Sequence, residues 1–125
     1  MQDGKPVILC VDDDQDLLYA LRLVLENNGY AMLEARSAQE ALKVWKSSGA
    51  DLLIVDLMME EVDAGTGLVT ELKAAGCTVP IYMLSSVGDA LSLQADASGL
   101  GLAGVFQKPV DNHRLLKTLA DKLKT

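Results

Sequence analysis

Leu52-Leu53-Ile54-Val55 is an unbroken apolar run that ends abruptly in Asp56. The run is too short for a helix and β-branched toward its end. It therefore reads as a strand buried on both faces, as in a parallel sheet covered by helices. A carboxylate placed directly after such a strand is either a helix cap or a group set at the carboxyl edge of a sheet. Val7-Ile8-Leu9-Cys10-Val11 repeats the pattern, and it too ends in acid, at Asp12-Asp13-Asp14.

Between and after these runs, strand and helix patterns alternate. Leu17, Leu21 and Val24, widened by Leu18 and Leu25, form a helical stripe that Gly29 stops. Residues 30–35 make a short strand. Ser37 and Glu40 form a capping box ahead of Ala38, Ala41, Leu42 and Trp45, whose shared face should place Trp45 against the sheet. After a loop over 57–65, Thr66 is suited to cap a helix that carries Leu68, Val69 and Leu72 and stops at Gly76. Residues 79–84 read as the fourth strand, with Pro80 near its start where no ladder donor is lost. Residues 88–98 read as a weak helix and 103–107 as the fifth strand. Asp111 caps a last helix with Leu115, Leu116, Leu119 and Leu123 inward, and Lys122 and Lys124 suit its C-terminal dipole. Five alternations with short connections define an α/β class: one doubly wound (βα)5 domain over residues 1–125, with a parallel five-stranded sheet covered on both faces. No output domain is read in the chain.

All strands of a parallel sheet end at one edge. Strand 1 brings Asp12 and Asp13 there, strand 3 Asp56, strand 4 Ser85 and strand 5 Lys108. Carboxylates about 4 Å apart repel by roughly 4 kcal/mol per pair at an effective dielectric of about 20. A hard cation would neutralise them, and acidic oxygens with waters make an octahedral site suited to Mg²⁺. Lys108 and Ser85 remain for an anion, so Asp56 is equipped to accept a phosphoryl group.

Val11-Asp12-Asp13-Asp14, Val55-Asp56-Leu57-Met58-Met59, Leu84-Ser85-Ser86 and Lys108-Pro109, in this order, resemble the receiver domain of two-component response regulators. The resemblance spans the chain. It implies a flavodoxin-like sheet in the order 2-1-3-4-5 and Asp56 as phosphoacceptor. Asp12 and Asp13 would hold Mg²⁺ with Asp56 and the main-chain carbonyl of Met58. Ser85 would bond the phosphoryl group and Lys108 would pair with it. Transfer would be self-catalysed, with slow loss of the phosphoryl group, so the chain is not otherwise an enzyme. The implied phosphodonor is a sensor histidine kinase or a His-phosphotransfer protein. A downstream protein or a second copy of the chain would bind through the fourth helix, fifth strand and last helix, where Leu91, Leu93, Leu100 and Leu102 suggest an apolar surface. A cis Lys108–Pro109 bond is also implied. Met58 and Val87, at positions that tune hydrolysis in the family, carry no group to orient a water, which implies a long-lived phosphorylated state. Two departures stand out. Asp63-Ala64-Gly65-Thr66-Gly67 replaces a shorter Asp-Gly, and Val105 stands where the family has its aromatic switch residue, with Phe106 one position later.

Composition bounds the partners. A net charge of −7 argues against direct binding of nucleic acid or an anionic membrane surface. No apolar run reaches spanning length and the N-terminus lacks a signal-peptide pattern, so a cytoplasmic location is expected. Cys10 and Cys77 make no disulfide framework or CxxC pair. Rival motifs fail on particular residues. Asp12-Asp13-Asp14-Gln15-Asp16 resembles the start of haloacid-dehalogenase phosphatases but lacks the following Thr. Read as an EF-hand, the same stretch puts Leu17 where the turn glycine belongs and Leu23 where the bidentate Glu belongs. The glycine-rich 63–67 stretch has no second lobe to make a sugar-kinase site. His113, among polar neighbours, reads as a solvated surface residue. A pseudo-receiver that binds without phosphorylation is opposed by the complete acceptor set.

Overall fold

The structure is a computed structural model that describes residues 4–56, 64–85, 102–108 and 110–123. The strands are β1 (Val7–Val11), β2 (Ala31–Ala35), β3 (Leu52–Asp56), β4 (Ile81–Ser85) and β5 (Gly104–Gln107). The helices are α1 (Gln15–Glu26), α2 (Ala38–Ser48), α3 (Ala64–Ala74) and α4 (Asn112–Leu123). All strand pairs are parallel and the order is β2-β1-β3-β4-β5, as the resemblance implies.

The apolar runs become strands because each is buried on both faces. Every residue of β1, β3 and β4 is buried. Their side chains alternate between two cores, as the period of a strand requires. Val7, Leu9, Val11, Leu53, Val55, Ile81 and Met83 pack under α2 and α3, with Ala41, Leu68, Val69 and Leu72. Ile8, Cys10, Leu52, Ile54, Tyr82 and Leu84 pack on the other face under α1 and α4, with Leu18, Leu21, Leu25, Leu115 and Leu119. Trp45 is partly buried against the first core, on the sheet as its helical spacing predicts.

Local chemistry sets the helix ends. Asp14 caps α1, Ser37 accepts from the Glu40 amide at 3.1 Å, and Asp111 accepts from the amides of His113 and Arg114 at 3.0 and 3.2 Å. α3 closes through Gly76, whose φ of 94° lets the Cys77 amide reach back to the Leu72 carbonyl at 2.9 Å.

Two expectations shift. The inward stripe of α1 is Leu18, Leu21 and Leu25, while Leu17 and Val24 flank it half-buried, because two leucine-rich stripes one residue apart share most of the same arc. α3 begins at Ala64, so Thr66 lies inside the helix and not at its cap; apolar spacing fixes a helix's face but not its first residue. The helix expected over 88–98, the Lys108–Pro109 bond, Met58, Val87 and the leucines at 91, 93 and 100 lie outside the described residues. Leu102 is half-buried and packs on the α2/α3 core.

Candidate functional site

The strand register assembles the site. Val11 pairs with Val55, so Asp12 and Asp56 reach the carboxyl edge at the same level on neighbouring strands. Asp56 pairs with Leu84 and Ser85 with Gln107, which sets Ser85 and then Lys108 beside them. Parity adds direction. Asp12, Asp56 and Lys108 each continue the alternation that faces α1 and α4, whereas Ser85 continues the one that faces α2 and α3.

Asp12, Asp56 and Ser85 are buried, with relative exposures of 1%, 5% and 1%. The Lys108 ammonium bridges the two buried carboxylates, lying 3.1 Å from Asp12 Oδ2 and 3.2 Å from Asp56 Oδ1. Burial by itself would lower the Lys108 pKa, but its contacts with Asp12 and then Asp56 outweigh burial and hold it above the usual lysine value. Lys108 is tied back to β4 by its amide, which donates to the Ser85 carbonyl at 2.7 Å. The Ser85 hydroxyl is buried with no hydrogen-bond partner among the described residues. Such a group inside a tight fold calls for a reason.

One carboxylate oxygen from each of Asp12, Asp13 and Asp56 lies within 4.8 Å of the others, and Asp13 is the exposed member. Ligands on opposite sides of an octahedral Mg²⁺ stand about 4.2 Å apart, twice a bond of about 2.1 Å, so this hard-oxygen set can close on that ion. An open cleft of about 500 Å³ borders the site, lined by Asp14, Leu17, Ala20, Leu21, Lys108, Val110 and Asn112.

The structure thus brings together Asp12, Asp13, Asp56, Ser85 and Lys108, all marked in the sequence; Met58 lies outside the described residues. His113 is exposed on α4. The sequence reading missed the part of Asp14, whose amide donates to Asp12 Oδ1 at 2.9 Å. The signal was present, since an Asp just before a helical stripe is a usual cap.

The sequence profile of the response regulator receiver domain matches residues 8–120, and the chain belongs to that family. It is similar to the transcriptional regulatory protein GlrR of Escherichia coli, with 36% identity over 120 residues, 95% of this chain and 27% of GlrR. It is also similar to the transcriptional regulatory protein ZraR of Salmonella typhimurium, with 32% identity over 96% of this chain and 27% of ZraR. The chain therefore spans about a quarter of these relatives. Among solved structures, the receiver domain of an HD domain-containing protein from Pseudomonas fluorescens superposes with a TM-score of 0.85 at 28% identity, covering 99% of this chain and 90% of that one. A receiver domain protein from Clostridium thermocellum gives 0.86 at 25% identity, covering 95% and 94%. Among the described residues, no helix is long and apolar enough to cross a membrane.

Proposed function

We propose that this receiver takes a phosphoryl group onto Asp56 from a phosphohistidine of a sensor histidine kinase or a His-phosphotransfer protein. One observation supports the reading above the rest: Lys108 bridges Asp12 and Asp56 at the strand edge where Ser85 ends β4, its hydroxyl buried with no hydrogen-bond partner among the described residues. A carboxylate, a cation and a hydroxyl donor at one strand edge are the parts that phosphoryl transfer to an aspartate needs.

Asp56 attacks phosphorus in line. The phosphorus–nitrogen bond to the donor imidazole breaks, and the imidazole leaves with the electron pair and is protonated. Lys108 then pairs with a phosphoryl oxygen instead of Asp56, and the Ser85 hydroxyl donates to another. Asp12, Asp13 and Asp56, with the Met58 carbonyl, would hold Mg²⁺, which when bound neutralises charge on the transferred oxygens. The chain's own chemistry ends with this self-catalysed step and slow hydrolysis.

The phosphorylated state acts on a downstream protein or a second copy of the receiver through the 88–98 segment, β5 and α4. GlrR and ZraR are transcriptional regulators by name, so we place this receiver in the control of transcription. A chain of charge −7 would act there through proteins and not by touching DNA itself.

Acetyl phosphate with Mg²⁺, followed by intact-mass measurement, tests the reading. One phosphoryl adduct that disappears in Asp56→Asn is expected. No adduct in the parent, or an unchanged adduct in Asp56→Asn, overturns it.

A further inference from the structure

Asp14 ends the acidic run of Asp12-Asp13-Asp14 but stands outside the carboxylate cluster. Its hydrogen bonds run in two directions. Its side chain caps α1, accepting from the amides of Asp16 at 3.0 Å and Leu17 at 3.3 Å. Its own amide points back and donates to Asp12 Oδ1 at 2.9 Å. The cap holds residue 14 in extended backbone, φ −88° and ψ 103°, at the step from loop to helix. On the other side, the Asp12 amide donates to the Ala35 carbonyl of β2 at 3.1 Å, which anchors the start of the turn.

The consequence falls on Asp12. Its Oδ1 is held by a backbone amide, and this leaves Oδ2 directed at Lys108. A carboxylate pinned at one oxygen has lost its freedom to rotate, so a cation that binds the other need not immobilise it again. The amide is fixed in turn because α1 is anchored: Leu18, Leu21 and Leu25 bury its inner face, and Asp14 ties the first turn to the loop.

We infer that Asp14 is a positioning residue, whose capping of α1 aims the backbone amide that orients Asp12 for a divalent cation. The inference rests on the proposed carboxylate metal site. Asp14 also carries a negative charge near that site, and charge alone would attract a cation. Asp14→Asn separates the two effects, because it removes the charge and keeps a good cap, while Asp14→Ala removes both.

Mg²⁺ titration by calorimetry on the whole chain, together with amide hydrogen exchange in the metal-free protein, decides the matter. Asp14→Ala should weaken Mg²⁺ binding roughly threefold to tenfold, the cost of immobilising one side chain again. Asp14→Asn should stay near the parent. The amide of residue 14 should be protected in the parent and in Asp14→Asn but not in Asp14→Ala. Equal weakening in both variants would assign the effect to charge and overturn the inference. So would unchanged affinity in Asp14→Ala, or an unprotected residue-14 amide in the parent. If the parent binds no Mg²⁺, the metal-site reading fails on its own, and the exchange data alone still decide whether the cap of Asp14 orients Asp12.

Discussion

Gly104 on β5 stands directly opposite Tyr82 on β4, and a methyl group at position 104 would lie 2.8 Å from Tyr82 Cε1. The ring therefore occupies the space of the missing side chain. It is held there by Phe106, whose ring centroid is 5.2 Å away. The backbone of Gly104 is not left-handed, so Ala in a strand would ordinarily be preferred over Gly by roughly 0.5–1 kcal/mol. Here overpacking against a buried ring decides the sign, and Gly104→Ala should destabilise by about 1–2 kcal/mol. In a Tyr82→Ala background the same change should cost nothing or stabilise. Urea denaturation of the four proteins measures that coupling, and an equal cost in both backgrounds would refute it.

Lys108 should matter for stability before it matters for chemistry. Its ammonium faces the Asp12 carboxylate, whose side chain is only 1% exposed, while Lys108 itself keeps 27% exposure. Removing one partner leaves an uncompensated buried charge, and partial solvent access moderates the loss to roughly 2–3 kcal/mol for Lys108→Met. In the proposed function Mg²⁺ would bind the same carboxylates, so it should restore much of that loss and bind the variant more tightly than the parent. Denaturation curves with and without Mg²⁺ check both. A variant as stable as the parent without the ion would show that the bridge is not what holds these acids together.

The strands and most of the site were legible because Asp12, Asp56 and Ser85 directly follow apolar runs, Asp13 adjoins Asp12, and Lys108 directly follows the fifth strand. Asp12, Asp56, Ser85 and Lys108 needed only the inference that parallel strands end at one edge. The strand order was not legible from alternation alone and came through the family resemblance. What lay hidden were contacts between parts distant in sequence. The Asp51 side chain accepts from the Val7 amide at 2.8 Å and ties the start of β1, across 44 positions that carry no local pattern. Phe106 shows the limit of counting positions. Strand parity sends it to the α1/α4 core, 4% exposed beside Tyr82, whereas Val105 packs on the α2/α3 side that Ser85 continues. An aromatic residue one position late is thus on the opposite face of the sheet, and it does not replace one at 105.

Trp45 should report poorly on the site. α2 runs back along the sheet and is followed by Asp51, whose amide donates to the Val7 carbonyl at 2.8 Å, at the amino-terminal edge of β1. Trp45, near the end of α2, is therefore close to the edge opposite the carboxylates. Its fluorescence should change little on adding Mg²⁺ or acetyl phosphate. A large saturable quench would place Trp45 in strong coupling with the site.

The Tyr82 phenol gives the fold a pH dependence on the alkaline side. Burial raises its pKa above the ordinary value of 10.0. A raised pKa means that the folded state keeps a proton the unfolded chain has already released. The contribution to stability is then complete below pH 10.0, where both states are protonated, and is lost as pH rises from there through the folded-state value. Parent and Tyr82→Phe should therefore differ in slope only on that limb, with the parent losing stability more steeply. Lys108, also raised, contributes to the fall in both proteins and cancels in the comparison. Tyrosinate absorbance should show a late-titrating step in the parent that Tyr82→Phe lacks. Urea midpoints measured at intervals across the alkaline range supply the slopes, and parallel slopes in the two proteins would show that the buried phenol is not the group responsible.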